Sequence, residues 1–169
     1  MDGFIARADG SLDWLDAANS LVPEGEDCGY AKFFDSVDAL VMGRNTFEKV
    51  LSFGGDWPYG TTSVYVLSSS PITFPASLPA SVSQQSGSPE ALCDFFAKSG
   101  YSRVYIDGGV TIQRFMAAGL VDDMTLTQIP VLLGQGIRLF GDLGNDVHLQ
   151  LVSSKAYSFG FVQSVYQLR

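Results

Sequence analysis

An apolar run, Ala39-Leu40-Val41-Met42, breaks at Gly43 and passes straight into Arg44-Asn45-Thr46 and a helical stretch over residues 47–53. A strand that opens a helix in this way leaves backbone N–H groups without partners at the positive end of the helix dipole. Arg44 stands beside them, and the combination is the chemistry of an anion site. One such junction is common in any α/β protein. Two more follow in this chain: Val64-Tyr65-Val66-Leu67 ends in Ser68-Ser69-Ser70, and Val104-Tyr105-Ile106 ends in Asp107-Gly108-Gly109-Val110, with a further helical stretch from Thr111. Three strand ends carrying phosphate-compatible residues describe one extended ligand lying across the carboxyl edge of a sheet, and a dinucleotide has that shape.

The elements that must position these residues follow from periodicity. Residues 11–19 read as a short helix or ordered loop, and 27–36 as a helix with Tyr30, Phe33, Phe34 and Val37 on one apolar face. A buried strand covers 37–42 and a helix 44–53. Glycine and proline density makes 54–60 a loop. Strands at 63–67, near 81–84 and at 103–106 then alternate with helices at 88–99 and 110–119, a βαβ pattern that predicts a largely parallel sheet. The last third changes character. Residues 124–131, 147–157 and 159–168 alternate or run apolar with no helix between them, and Ser158-Phe159-Gly160 closes a hairpin, so an antiparallel edge is expected.

With 169 residues, 46% of them hydrophobic, the chain has material for one well-buried core, and residues 1–169 read as a single domain. Its formal net charge of -8 argues against nucleic acid or an anionic membrane as partner, so any phosphate must be bound locally. Cys28 and Cys93 are far apart, sit in helical patterns and form no zinc or redox motif. A single histidine, His148, supports neither a metal centre nor a histidine-based triad. No apolar run approaches membrane-spanning length, and a soluble cytoplasmic protein is the expectation.

Taken in order, several stretches resemble the dihydrofolate reductase superfamily, and within it the bacterial branch related to the reductase domain of riboflavin biosynthesis, the RibD C-terminal type. They are Asp2-Gly3-Phe4-Ile5-Ala6, Val41-Met42-Gly43-Arg44-Asn45-Thr46-Phe47-Glu48, Val66-Leu67-Ser68-Ser69, Asp107-Gly108-Gly109-Val110-Thr111, Gly119-Leu120-Val121-Asp122-Asp123 and Pro130-Val131-Leu132-Leu133-Gly134-Gln135-Gly136-Ile137. The resemblance covers nearly the whole chain. It implies a three-layer α/β/α fold with a mixed, mostly parallel sheet and an antiparallel C-terminal hairpin, and an NADPH-dependent reductase acting on a small heterocycle, a pterin or a riboflavin-pathway pyrimidine. On the same basis Ala6 meets the nicotinamide carboxamide through its backbone. Gly43, Arg44, Asn45 and Thr46 hold the pyrophosphate and adenosine side. Leu67, Ser68 and Ser69 flank the adenine and the 2′-phosphate, and Gly108, Gly109, Val110 and Thr111 bring backbone to the pyrophosphate and nicotinamide ribose. The resemblance further implies a homodimer paired through the terminal sheet, and a hydrophobic strand upstream of Met1 of roughly 5–10 residues.

On the substrate side, an ungapped count back from Met42-Gly43-Arg44 places Asp27 at the proton-relaying carboxylate of dihydrofolate reductases. Its competing role is a carboxylate at a helix N-terminus, which Glu24 and Glu26 suit equally. Trp14, Tyr30, Phe34 and Trp57 are the candidate substrate-pocket residues, each with core or loop packing as the alternative. Cys28-Gly29-Tyr30-Ala31 lacks a folate-packing pattern, and no arginine is placed to hold a folate glutamate tail. A true dihydrofolate reductase is the first rival, disfavoured by that missing signature, and a nucleotide-binding sensor without turnover the second.

Overall fold

In the computed structural model, which describes residues 1–169, the chain runs β1 (Phe4–Ala6), α1 (Asp13–Asn19), α2 (Tyr30–Phe34), β2 (Ala39–Gly43), α3 (Arg44–Ser52), β3 (Ser63–Leu67) and β4 (Val82–Gln85). It continues through α4 (Pro89–Lys98), β5 (Val104–Asp107), α5 (Gly109–Ala117), β6 (Asp123–Gln128), β7 (Ile137–Arg138), β8 (Leu149–Ala156) and β9 (Val162–Leu168). These elements fall into two units: Ala31–Arg114, and Met1–Tyr30 together with Phe115–Arg169.

The first unit is built on the apolar runs that the sequence marks as strands. They form a parallel sheet in the order β4-β3-β2-β5. Ala39, Leu40, Val41 and Met42 of the inner strand β2 are 0% exposed, as a parallel strand covered on both faces must be. α3 lays Phe47, Val50 and Leu51 onto a core of Leu40, Met42, Val64, Val66 and Tyr59, where each fully buried aliphatic or aromatic side chain contributes about 1.5–3 kcal/mol. α4 begins where Ser88 caps it, its Oγ accepting from the Ala91 N–H, with Pro89 in the first turn. The chain steps outward from β2 to β3 to β4, and α4 then carries it to β5 on the opposite side of β2. β2 and β5 therefore flank the point where strand order reverses, and in such sheets ligands bind outside the carboxyl ends at that point.

In the second unit β6, β9 and β8 form an antiparallel sheet of their own, and β1 pairs antiparallel with β7. The expected hairpin is β8–β9. Tyr157 N–H donates to Phe161 O and Gly160 N–H to Tyr157 O, closing the turn through Ser158-Phe159-Gly160. Ile129, Tyr157 and Phe161 make its core, with Trp14, Val22 and Cys28 packed against them. A mixed α/β fold with a parallel sheet and an antiparallel C-terminal hairpin is thus what the chain adopts.

The helix expected over 27–36 is shorter, covering Tyr30–Phe34 only. Cys28 and Gly29 have φ of 54° and 79°, left-handed values that no α-helix continues through. The Glu26 and Asp27 carboxylates accept from the Cys28 and Gly29 N–H groups, both at 2.7 Å, and so make the turn that replaces the first helical residues. Elsewhere the helices and parallel strands lie within one or two residues of expectation. No helix is long and apolar enough to cross a membrane.

Candidate functional site

Strand register sets the junctions side by side: Gly43 at the end of β2 is opposite Leu67 of β3, and Met42 is opposite Asp107 of β5. α3 then opens at Arg44 behind an extended Gly43 that offers no side-chain cap, so its first-turn N–H groups are left for a ligand. α5 opens at Gly109 beside it. Two close approaches fix the first turns of these helices against each other. A Cβ on Gly108, whose φ is +90°, would fall on Thr46 Oγ1, and one on Gly43 would lie 3.1 Å from Thr111 Oγ1. Only glycine fits at Gly108, on both counts. Thr111 is 5% exposed, a buried polar residue at the base of this crossing. Gly43, Thr46, Gly108, Gly109 and Thr111, selected from sequence, are brought together here, with Asn45 and Val110 exposed on the outer side.

Beside the crossing lies a cavity of about 340 Å³, lined by Arg44, Leu67, Ser68, Ser69, Ser86, Gly87 and Arg114. Four of these were expected from sequence. Ser86, Gly87 and Arg114 were missed, although Ser86-Gly87-Ser88 joins β4 to α4, the same strand-to-helix signal at a fourth junction. The Arg44 Nε donates to Glu48 Oε1 at 2.7 Å across one turn of α3, with both side chains about half exposed. Arg114 Nη2 donates to the Gly87 carbonyl at 2.9 Å, which directs a second guanidinium to the cavity. Ser68 is occupied locally: its Oγ donates to Ser70 O at 2.7 Å and accepts from the Ser70 N–H. Two guanidiniums, two further serines and the uncapped start of α3 are groups whose chemistry suits a phosphate ester.

The other selected residues are placed as follows. Phe34 and Trp57 meet across Tyr59, with ring centroids 5.7 Å and 5.1 Å from it, on the core of the parallel sheet. Trp14 packs on the core of the second unit, and Tyr30 is 46% exposed. Ala6 ends β1 and is buried, and Gly136 lies directly on its carbonyl oxygen, where a Cβ would not fit. Asp2 accepts from the Gly134 N–H at 2.8 Å; that bond holds its carboxyl below the ordinary value and fixes the neighbouring turn.

The carboxylates divide by surroundings. Asp27 is exposed and its Oδ1 caps the Gly29 N–H. Asp38 is a fastener, accepting from the Ser102 and Arg103 N–H groups at 2.7 and 2.9 Å. Asp107, the last residue of β5, accepts from the Gly108 N–H at 2.7 Å, and desolvation by burial outweighs that bond and pushes its carboxyl up from the ordinary 3.8. The sequence reading passed over it as part of a glycine turn.

A reversing parallel sheet with a glycine-framed anion site at its carboxyl edge is an arrangement of dinucleotide-using α/β proteins. The chain belongs to the RibD C-terminal domain family, whose sequence profile matches residues 1–163. It is 34% identical over 159 residues to the uncharacterized protein YwjB of Bacillus subtilis strain 168, covering 93% of this chain and 87% of that protein. Among solved structures, it superposes with a TM-score of 0.92 and 37% identity on a protein of Shewanella sp. PV-4 provisionally named for riboflavin biosynthesis, covering 100% of this chain and 94% of that one. The deaminase/5-amino-6-(5-phosphoribosylamino)uracil reductase of Thermotoga maritima shares the fold, with a TM-score of 0.68, 14% identity, and coverage of 99% of this chain and 53% of its own. The resemblance stated from sequence, to the RibD C-terminal branch of the dihydrofolate reductase superfamily, holds.

Proposed function

We infer that the protein is a reductase that takes NADPH as hydride donor and reduces a small heterocycle of the riboflavin-pathway pyrimidine type. The observation that carries the reading is the convergence of three strand-to-helix or strand-to-loop junctions at the reversal point of the sheet, next to a cavity flanked by Arg44 and Arg114. The residues suit the cofactor: Gly43 and Gly108 let the starts of α3 and α5 approach each other closely at the strand ends, and the guanidiniums match a 2′-phosphate. The family and the name of the Shewanella relative supply the substrate class. Bound NADPH supplies the hydride; the protein positions the two reactants and supplies a proton to the reduced double bond.

Gly43, Arg44, Asn45 and Thr46 then hold the pyrophosphate and adenosine side, and Leu67, Ser68 and Ser69 wall the 2′-phosphate together with Arg114. Gly108, Gly109, Val110 and Thr111 face the pyrophosphate and ribose, and Ala6 binds the carboxamide. Phe34 and Trp57 are the substrate-side candidates on the parallel-sheet unit, and Trp14 and Tyr30 remain candidates on the other unit by the family resemblance alone. Two carboxyls compete as proton donor. Burial raises the Asp107 carboxyl above its ordinary value, which makes it a candidate proton donor beside Asp27, whose side chain is exposed. The test is oxidation of NADPH and NADH with a panel of pyrimidines and pterins, followed by loss of reduced-nicotinamide absorbance. Turnover with a pyrimidine and NADPH is expected. Binding of NADPH without turnover of any substrate would instead support a sensor, and tight methotrexate binding a dihydrofolate reductase.

A homodimer fits the same reading. β8 is an edge strand exposed along its whole length, with Leu149, Leu151 and Val152 at 43%, 54% and 61% exposure. A long apolar edge is a liability that pairing with a second copy removes. Phe161, which precedes β9, is buried in the core of this unit. Sedimentation at micromolar concentration should show a dimer; a species of 18.2 kDa alone would count against it.

A further inference from the structure

We propose that Gln84 is a positioning residue that presets the Ser68–Ser69 wall of the phosphate cavity for the 2′-phosphate; the proposal rests on the cofactor reading above. Residues 68–81 connect β3 to β4 without a helix, so their backbone groups must find partners elsewhere. Gln84, on β4 opposite Val66, supplies three of these partners from one carboxamide. Its Nε2 donates to Ser68 O at 3.1 Å and to Ser70 O at 2.9 Å, and its Oε1 accepts from the Ile72 N–H at 2.9 Å. The amide has one workable orientation. Turned over, it would set its oxygen against two carbonyls and its NH₂ against an N–H.

Ser69 lies between the two tethered carbonyls and lines the cavity. The Ser68 hydroxyl, bonded to both Ser70 O and Ser70 N, closes the same loop from within, and the Ser68 N–H donates to Gln85 O. The wall is therefore fixed by β4 before any ligand arrives. Its geometry costs no ordering on binding, and that saving falls on the ligand that touches the wall. NADPH carries a phosphate to it and NADH does not, so Gln84 contributes to cofactor discrimination without contacting the cofactor.

Gln84→Ala and Gln84→Glu separate this role from simple loop stapling. Alanine removes all three bonds. Glutamate keeps the acceptor for the Ile72 N–H and sets a carboxylate against the Ser68 and Ser70 carbonyls. NADPH and NADH would be titrated calorimetrically against wild type and both variants, alongside amide exchange at Ile72 and thermal melts.

In Gln84→Ala, NADPH affinity should fall roughly 3- to 10-fold, the cost of re-ordering about one loop side chain. NADH affinity should change less, and Ile72 exchange should quicken. In Gln84→Glu, NADPH affinity should fall at least as far while Ile72 stays protected. If Gln84→Ala does not fold, the uncharged Gln84→Met, which keeps the side-chain length and removes the carboxamide, decides in its place. Equal losses for both cofactors, or an unchanged NADPH-to-NADH ratio, would overturn the role of Gln84 and leave the cofactor reading standing. Wild-type protein that binds the two cofactors equally would overturn both.

Discussion

Arg44→Ala should weaken NADPH binding strongly and NADH binding little. A charge-assisted hydrogen bond contributes about 1.5–3 kcal/mol. Arg44 is already paired with Glu48, so turning to a phosphate must loosen that contact first. An exposed pair one helical turn apart contributes only about 0.3–0.5 kcal/mol, so the phosphate wins and a net of about 1–2.7 kcal/mol remains. Arg44→Ala should accordingly lower NADPH affinity by about 5- to 100-fold. The unpaired Glu48 carboxylate left behind would repel the phosphate and move the result toward the upper end, and Arg44→Ala with Glu48→Gln should recover that part. Arg114 lines the same cavity. If both guanidiniums grip one phosphate, the double variant will be non-additive, with a coupling of about 0.5–3 kcal/mol. Calorimetric titration of the two cofactors against wild type, Arg44→Ala, Arg114→Ala and the Arg44→Ala, Arg114→Ala double variant measures every corner of this cycle. The losses should shrink at high salt, because the groups are solvent-accessible and the screening length at about 0.1 M is only about 10 Å. Equal binding of NADPH and NADH by wild type, or equal loss of both on removing Arg44, would refute the placement of the 2′-phosphate at this cavity.

Most of the parallel sheet was legible because a strand buried on both faces must be a continuous apolar run, and Ala39 to Met42 can be little else. The strand-end junctions were legible for the same reason, since glycine next to such a run announces a break. The missing pieces were lost to three physical causes. The left-handed Cys28 is invisible to periodicity, which sees the apolar spacing of Phe33 and Phe34 but not the carboxylate turn that shortens α2. Arg114 lies beyond the glycine motif on α5, and its place at the cavity follows from its hydrogen bond to the Gly87 carbonyl, a tertiary fact. Asp27 and Asp107 differ in burial, which sequence distance cannot rank. A count from Gly43 selects Asp27, whereas desolvation selects Asp107, and only the folded chain contains the second quantity.

Gly108→Ala should destabilise the fold by about 2–5 kcal/mol, adding left-handed strain to a collision with Thr46. Thermal melts should show it, and pairing it with Thr46→Gly should restore part of the loss; no restoration would mean that the contact is unimportant. Asp38→Asn should lower the melting temperature at neutral pH. The carboxylate, held below 3.8 by the Arg103 and Ser102 N–H groups, stabilises the fold above that pH and stops doing so as pH falls through its folded value, so the deficit should vanish in acid. A deficit that persists unchanged in acid would assign it to packing. Asp107→Asn tests the proton donor and works in the opposite sense on stability. Burial raises the Asp107 carboxyl, so its ionised form is the penalised one, and the penalty is present above the folded pKa and disappears as pH falls below 3.8. The amide keeps an acceptor for the Gly108 N–H and carries no charge, so the variant should melt higher than wild type at neutral pH and equal to it in acid. It has no proton to give, so reductase turnover should collapse while NADPH binding survives. Asp27→Asn is the comparison: if that variant loses turnover and Asp107→Asn keeps it, the proton comes from Asp27, and burial is the wrong criterion for this site.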